Sequence, residues 1–209
     1  MSLTVTPATG MPLTLPVAGP KPAPIVIGLD VALSASGVAG AGWADHVRST
    51  SPSRHARIAY QLDGLASFYR NADYVVLEGA AFSRGANQGA DVLAAMRWMV
   101  RQDLWKRRIP YAVITPSKRI TYATGSTVHR DEDGVRLKGP ALKGLVRSAV
   151  EERYGIHTEG PCKYDEADAY VLLAMGLDHL GHPLAEVPAT HARALAGCDW
   201  TAFDTAVAR

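Results

Sequence analysis

Cysteine is scarce: the 209 residues hold two, Cys162 and Cys198. Their spacing fits no zinc-ligand pattern, and two thiols build no disulfide framework. Free thiols in a reducing, cytoplasmic compartment are expected. Net charge is also nearly absent, at +2, so bulk charge names no partner. No apolar run approaches the roughly 20 residues that span a bilayer, and no membrane partner is expected. No internal repeat is visible. The opening "MSLTVTPATGMPLTLPVAGPKPAP" lacks an early positive charge and a periodic apolar face, and six prolines interrupt it. It reads as neither signal peptide nor helix. Residues 1–23 are expected to form a flexible extension.

What is present is the composition of a soluble globular chain, 47% hydrophobic and 20% charged, long enough for one core. The charge is unevenly spread. Arg97, Arg101, Lys106, Arg107, Arg108, Lys118 and Arg119 lie in a stretch with one acid, Asp103. From Glu151 onward ten acids face four bases. A basic middle beside an acidic end suits a polyanion contacted by one part and cations held by the other, although solvated helix faces give the same pattern.

Periodicity lays out the elements. Residues 24–32 read as a buried strand, followed by a tight turn at 33–36, a strand over 37–44 and a short one near 46–50. Ile58, Leu62, Leu65 and Tyr69 recur at helical spacing. Residues 74–80 and 109–116 are further apolar strands, and a long helix is expected over 88–107. A short helix after Pro116 closes at Gly125. A polar loop leads to a helix over 141–154, and another covers 163–180. A hairpin followed by alternating strands and helices predicts an α/β fold, a mixed sheet with helices on both faces.

Within this frame, four acids stand out. "IVIGLDVALSASGVAG" delivers one carboxylate, Asp30, out of an apolar strand, and "YVVLEGA" delivers Glu78 in the same way. "KYDEADAYVLLAMG" places Asp165 and Asp168 three apart, hence on one face, at the start of an apolar helix. An isolated carboxylate among apolar neighbours is costly unless paired or bound to a cation. Taken singly, each acid also reads as a turn or cap residue. Together they predict convergence on divalent ions. Oxygen ligands without His or Cys favour Mg²⁺, with Mn²⁺ substituting.

The segments "IVIGLDVALSASGVA", "ADYVVLEGAAFSRGANQGA" and "DEADAYVLLAMG" resemble, in order and spacing, the signature segments of RuvC-type Holliday junction resolvases of the RNase H-like nuclease superfamily, and of phage-type members in particular. The resemblance covers residues 24–181 and leaves 182–209 as an extension packing on or near that domain. It implies an RNase H-like fold with a five-stranded mixed sheet flanked by helices. It also implies a Mg²⁺-dependent endonuclease acting as a homodimer on a four-way DNA junction, in a bacterial host's cytoplasm. Carried over residue by residue, Asp30, Glu78, Asp165 and Asp168 are the catalytic metal ligands, and Lys143, in "GPALKGLVRSAVEERYG", approaches the scissile phosphate. Phe82 is placed as the aromatic after the Glu, or as a half-buried loop anchor. Val31 and Ala32 stand where the family has Pro-Gly or a similar pair. Arg84, Lys118, Arg119, Lys143 and Arg147 are the candidate DNA contacts, since phosphate contacts carry most affinity. His129 reads as a surface histidine, and Trp98 and Trp105, seven apart on one helix, as core or dimer packing. Two other functions compete: an actin-like ATPase, whose second glycine-rich, Asp-bearing loop is not found, and a non-catalytic structure-specific DNA binder.

Overall fold

The structure, a computed structural model, describes residues 22–80 and 90–207. Strand β1 (Val26–Asp30) pairs antiparallel with β2 (Ala35–Gly40), and β2 with β3 (Trp43–Arg48). Helix α1 (Arg54–Tyr69), N-capped by the Ser53 hydroxyl, returns the chain to β4 (Tyr74–Glu78), which runs parallel to β1. Helix α2 (Ala90–Arg107) precedes β5 (Tyr111–Ile114), parallel to β4. The sheet order is β3-β2-β1-β4-β5. Helices α3 (Pro116–Thr124) and α4 (Gly139–Tyr154) follow, then a 3-10 turn (Gly160–Cys162). Helix α5 (Lys163–His179) and the short α6 (Ala189–Ala192) and α7 (Thr201–Val207) complete the described chain. The expected five-stranded mixed sheet is what forms. No helix among the described residues is long and apolar enough to cross a membrane.

Strand alternation sorts the side chains into two cores. Ile27, Leu29, Val75 and Leu77 pack with Leu65, Tyr69, Met96, Val100 and Leu104 of α1 and α2. Val26, Val76, Ala112 and Ile114 face the other way, onto α5, α4 and α3. Helices therefore cover both faces. The period of two puts Gly28 and Asp30 on the face of Val26, and Glu78 on the face of Val76, which is the α5 side.

Helix α5 is buried all round from Glu166 to Leu177, because the sheet lies under it and α3 and α4 flank it. It sits unusually close to the sheet. A Cβ on Gly28 would overlap the Ala169 carbonyl, and one on Gly37 the Asp165 carbonyl. These two glycines let the start of α5 settle onto β1 and β2. The C-terminal segment joins the same core, with Trp200 and Phe203 buried there and Phe203 packed against Tyr74 at 4.7 Å between ring centroids.

Two expectations change. The first hairpin turns between Asp30 and Ala35, close to the expected 33–36, but a second turn lies at Ala41–Gly42, where Gly42 has φ +84°, so the strand expected over 37–44 ends at Gly40 and the next begins at Trp43. Small apolar residues on both sides of that turn hid it. Trp98 and Trp105 are not core: they are 64% and 69% exposed. Met96, Val100 and Leu104 form the buried stripe of α2 instead, and the guanidinium of Arg101 lies over the Trp98 ring at 5.0 Å.

Candidate active site

The strand register brings the first two acids together. Leu29 pairs with Leu77 across the parallel β1–β4 ladder, and Asp30 and Glu78 are the next residue on each strand. Adjacent strands lie about 4.8 Å apart, so the two carboxylates leave the same face side by side. Asp165 and Asp168 meet them from the first turns of α5, which the Gly28 and Gly37 contacts press onto that face. All four acids act on one another electrostatically through Asp30, which feels Glu78, Asp168 and Asp165.

A cation already stands among them. Arg119, on α3, is 6% exposed. Its Nε donates to Glu78 Oε1 at 2.7 Å, and its Nη1 donates to Asp168 Oδ1. Lys143, on α4, reaches Asp165 Oδ1 at 3.3 Å from a half-exposed position. Among the described residues, nothing donates to Asp30.

The electrostatics follow from that asymmetry. Burial, and then the charges of Glu78 and Asp168, push the Asp30 carboxyl well above its ordinary 3.8, against the opposing pull of Arg119. Asp168 is pushed up to about 7, again chiefly by burial; Arg119 and Lys143 pull it down while Glu78 and Asp165 push it up. Burial alone would lower Arg119, but Asp168, Glu78 and Asp30 outweigh it and hold the guanidinium firmly charged. For Lys143 too burial lowers, and Asp165 and Asp168 more than compensate.

The other candidate residues are distributed unevenly. Arg119, read in the sequence as a phosphate contact, is instead inside the acidic cluster with its guanidinium committed to carboxylates. Lys118 Nζ donates to the Ala196 carbonyl at 2.7 Å. Arg147 Nε donates to the Thr158 carbonyl at 2.9 Å and ties α4 to the segment before α5. Phe82 and Arg84 lie outside the described residues. The His129 ring is held by Thr124 and the Ser126 carbonyl. One partly buried pair had no clear signal in the sequence: Glu166, beside Asp165, meets His46 Nδ1 of β3 at 2.7 Å. The role of Arg119 was equally hidden, because a basic residue in a basic stretch reads as surface. A groove of about 810 Å³ between β5, α2 and α7 is lined by none of the four acids.

A divalent ion would meet a mixed situation. Among the described residues, no three His, Cys, Asp or Glu side chains stand grouped to hold a metal ion as they are. The Arg119 guanidinium stands between Glu78 and Asp168. The donor chemistry nevertheless fits a hard cation: every acid offers oxygen, Asp30 accepts no bond among the described residues, and Arg119 engages only one oxygen each of Glu78 and Asp168.

This arrangement of strands and helices is the RNase H-like α/β fold. Solved structures with the same fold include the following two. One is the RuvC structure of Thermus thermophilus, 15% identical, with a TM-score of 0.52 over 78% of this chain and 99% of that one. The other is T. thermophilus RuvC in complex with a Holliday junction substrate, 14% identical, with a TM-score of 0.50 over 79% and 99%. No family model matches the chain, and no curated protein sequence does.

Proposed function

We propose that this chain is a Mg²⁺-dependent endonuclease that hydrolyses phosphodiesters in branched DNA, with the four-way junction as substrate. The observation that carries the reading is the meeting of Asp30, Glu78, Asp165 and Asp168 on one face of an RNase H-like sheet. The likeness to a RuvC bound to a Holliday junction supports the choice of substrate. Mn²⁺ is expected to replace Mg²⁺, and a phage-type origin is consistent with the resemblance of the segments.

In this reading Asp30, Glu78 and Asp168 hold the ion, and Asp165 is a further ligand or positions the attacking water. A bound divalent ion supplies a more acidic water and positive charge at the phosphate. Arg119 fixes the orientation of Glu78 and Asp168. Lys143, half exposed beside Asp165, meets the charge that builds on the phosphate. Phe82 and Arg84 are proposed DNA contacts, with Lys118 and Arg147 at the margin of the footprint. A four-way junction has two-fold symmetry, so a homodimer with two sites matches it. Exposed Trp98, Met99 and Trp105 on α2 are candidates for its interface. Light scattering at micromolar protein should give the dimer mass, and a monomer with and without junction DNA would remove that part of the proposal.

A non-catalytic junction binder is the competing reading, favoured by one observation: Arg119 already neutralises part of the acidic charge. A synthetic four-way junction separates the two. Cutting with Mg²⁺ and none with EDTA is expected. Binding without cutting under both conditions would favour the binder, and ATP hydrolysis without DNA cutting would favour an actin-like enzyme.

A further inference from the structure

Among the described residues, four carboxylates, Asp30, Glu78, Asp165 and Asp168, share the site with two side-chain cations. Lys143 sits at its rim, half exposed, on Asp165 alone. Arg119 is inside, bridging β4 to α5 through Glu78 and Asp168. A guanidinium cannot lose its proton in a protein, so this cation leaves only by moving bodily.

Little in the structure lets it move. Helix α3 starts directly from β5, with Pro116 in its first turn, and ends on Gly125 at φ +81°. Tyr122 and Ala123, on the following turn, are buried in the core shared with α4 and α5. Tyr122 Oη also donates to Asp178 of α5 at 2.9 Å. With α3 held in place, swinging the Arg119 side chain out would strip two buried carboxylates of their partner.

We infer that Arg119 is a resident cation standing in for a second divalent ion, so that the site takes a single ion per chain. This rests on the metal-site reading proposed above. Bound to a cation, all four carboxyls are ionised, and among the described residues Arg119 and Lys143 then offset two of the four charges, leaving the charge of one divalent ion. Arg119 uses Glu78 Oε1 and Asp168 Oδ1, and leaves Glu78 Oε2, Asp168 Oδ2 and the Asp30 carboxylate for that ion. Arg119 is in this sense a positioning residue: it sets metal number and the orientation of two ligands.

The test counts ions. The full chain is titrated with Mn²⁺ and free Mn²⁺ is read by electron paramagnetic resonance, without DNA. The wild type should bind about one ion per chain, and Arg119→Met, which keeps length and removes charge, about two. Arg119→Lys should stay near one. Thermal melts accompany the counts: the Mn²⁺-induced rise in Tm should be larger for Arg119→Met than for the wild type. Two ions in the wild type, or an unchanged count and unchanged Mn²⁺ response in Arg119→Met, would overturn the inference while leaving the metal site standing. No Mn²⁺ bound by the wild type would overturn both. If Arg119→Met does not fold even with Mn²⁺, the wild-type count decides alone, one ion supporting the inference and two overturning it.

Discussion

Asp30→Asn should leave the metal-free protein more stable than the wild type, and Glu78→Gln should leave it less stable, although both should stop cleavage. The two residues leave adjacent strands onto the same face, so a simple picture of four repelling carboxylates gives them the same behaviour. The structure separates them. Asp30 has Glu78, Asp168 and Asp165 as negative neighbours and accepts no bond among the described residues. Neutralising it removes repulsion and costs no hydrogen bond. Glu78 is 8% exposed and accepts from the buried Arg119 at 2.7 Å. Glutamine can still accept that bond, but the charge opposite the guanidinium is lost. Leaving a buried charge short of its partner costs about 1–3 kcal/mol.

Thermal melts in EDTA at neutral pH, read beside cleavage rates in Mg²⁺, check this pair. Cleavage should fall at least about 10³-fold in each variant, because metal binding and charge stabilisation of the transition state fail together. Tm should rise for Asp30→Asn and fall for Glu78→Gln. A lower Tm for Asp30→Asn would show that its carboxylate has a partner holding it in the fold. Near-normal cutting by either variant would mean that its carboxylate is not a metal ligand.

Much of this site can be read from the sequence, and the missing part has a physical reason. Strands ending in a lone acid, and Asp165 and Asp168 one turn apart at the start of an apolar helix, are local patterns; the β1–β4 register, which is not local, then puts Asp30 and Glu78 on one face. The local patterns survive without knowledge of the tertiary fold. Arg119 has no local signature. It follows Lys118 in a basic stretch, and nothing nearby in sequence distinguishes the residue that turns inward from the one that caps the Ala196 carbonyl. Only the placement of α3 against α5, set by Tyr122 and Ala123, decides that. The turn at Ala41–Gly42 was hidden in the same way, since Gly40, Ala41 and Gly42 read as small strand residues until backbone φ is known. Trp98 and Trp105 mislead in the opposite direction: large apolar side chains suggest the core, yet the stripe of Met96, Val100 and Leu104 fills it.

Gly37→Ala should damage the protein more than any single neutralised acid, because it acts on the contact that assembles the site. Gly37 lies on β2, opposite Asp30 in the antiparallel ladder. A methyl group there would overlap the carbonyl of Asp165 and crowd the backbone nitrogen of Glu166. The obstructing atoms are helix backbone, so no rotamer change relieves the clash, and α5 must lift. Lifting it opens the core around Leu172, Leu173 and Met175, pulls Asp165 and Asp168 from Asp30, and breaks the Glu166–His46 pair. Ordinary overpacking costs about 1–3 kcal/mol, and a backbone obstruction under a central helix should exceed that range, against a total stability on the order of 5–15 kcal/mol. Gly28→Ala, beneath the Ala169 carbonyl, should behave alike. Gly144→Ala is the control. It lies in α4 with nothing within 4 Å of the added methyl, and replacing a mid-helix glycine should add roughly 0.5–1 kcal/mol. Urea unfolding of the three variants gives the comparison directly. A Gly37→Ala protein with wild-type stability and intact cleavage would show that α5 need not sit this close for the acids to work.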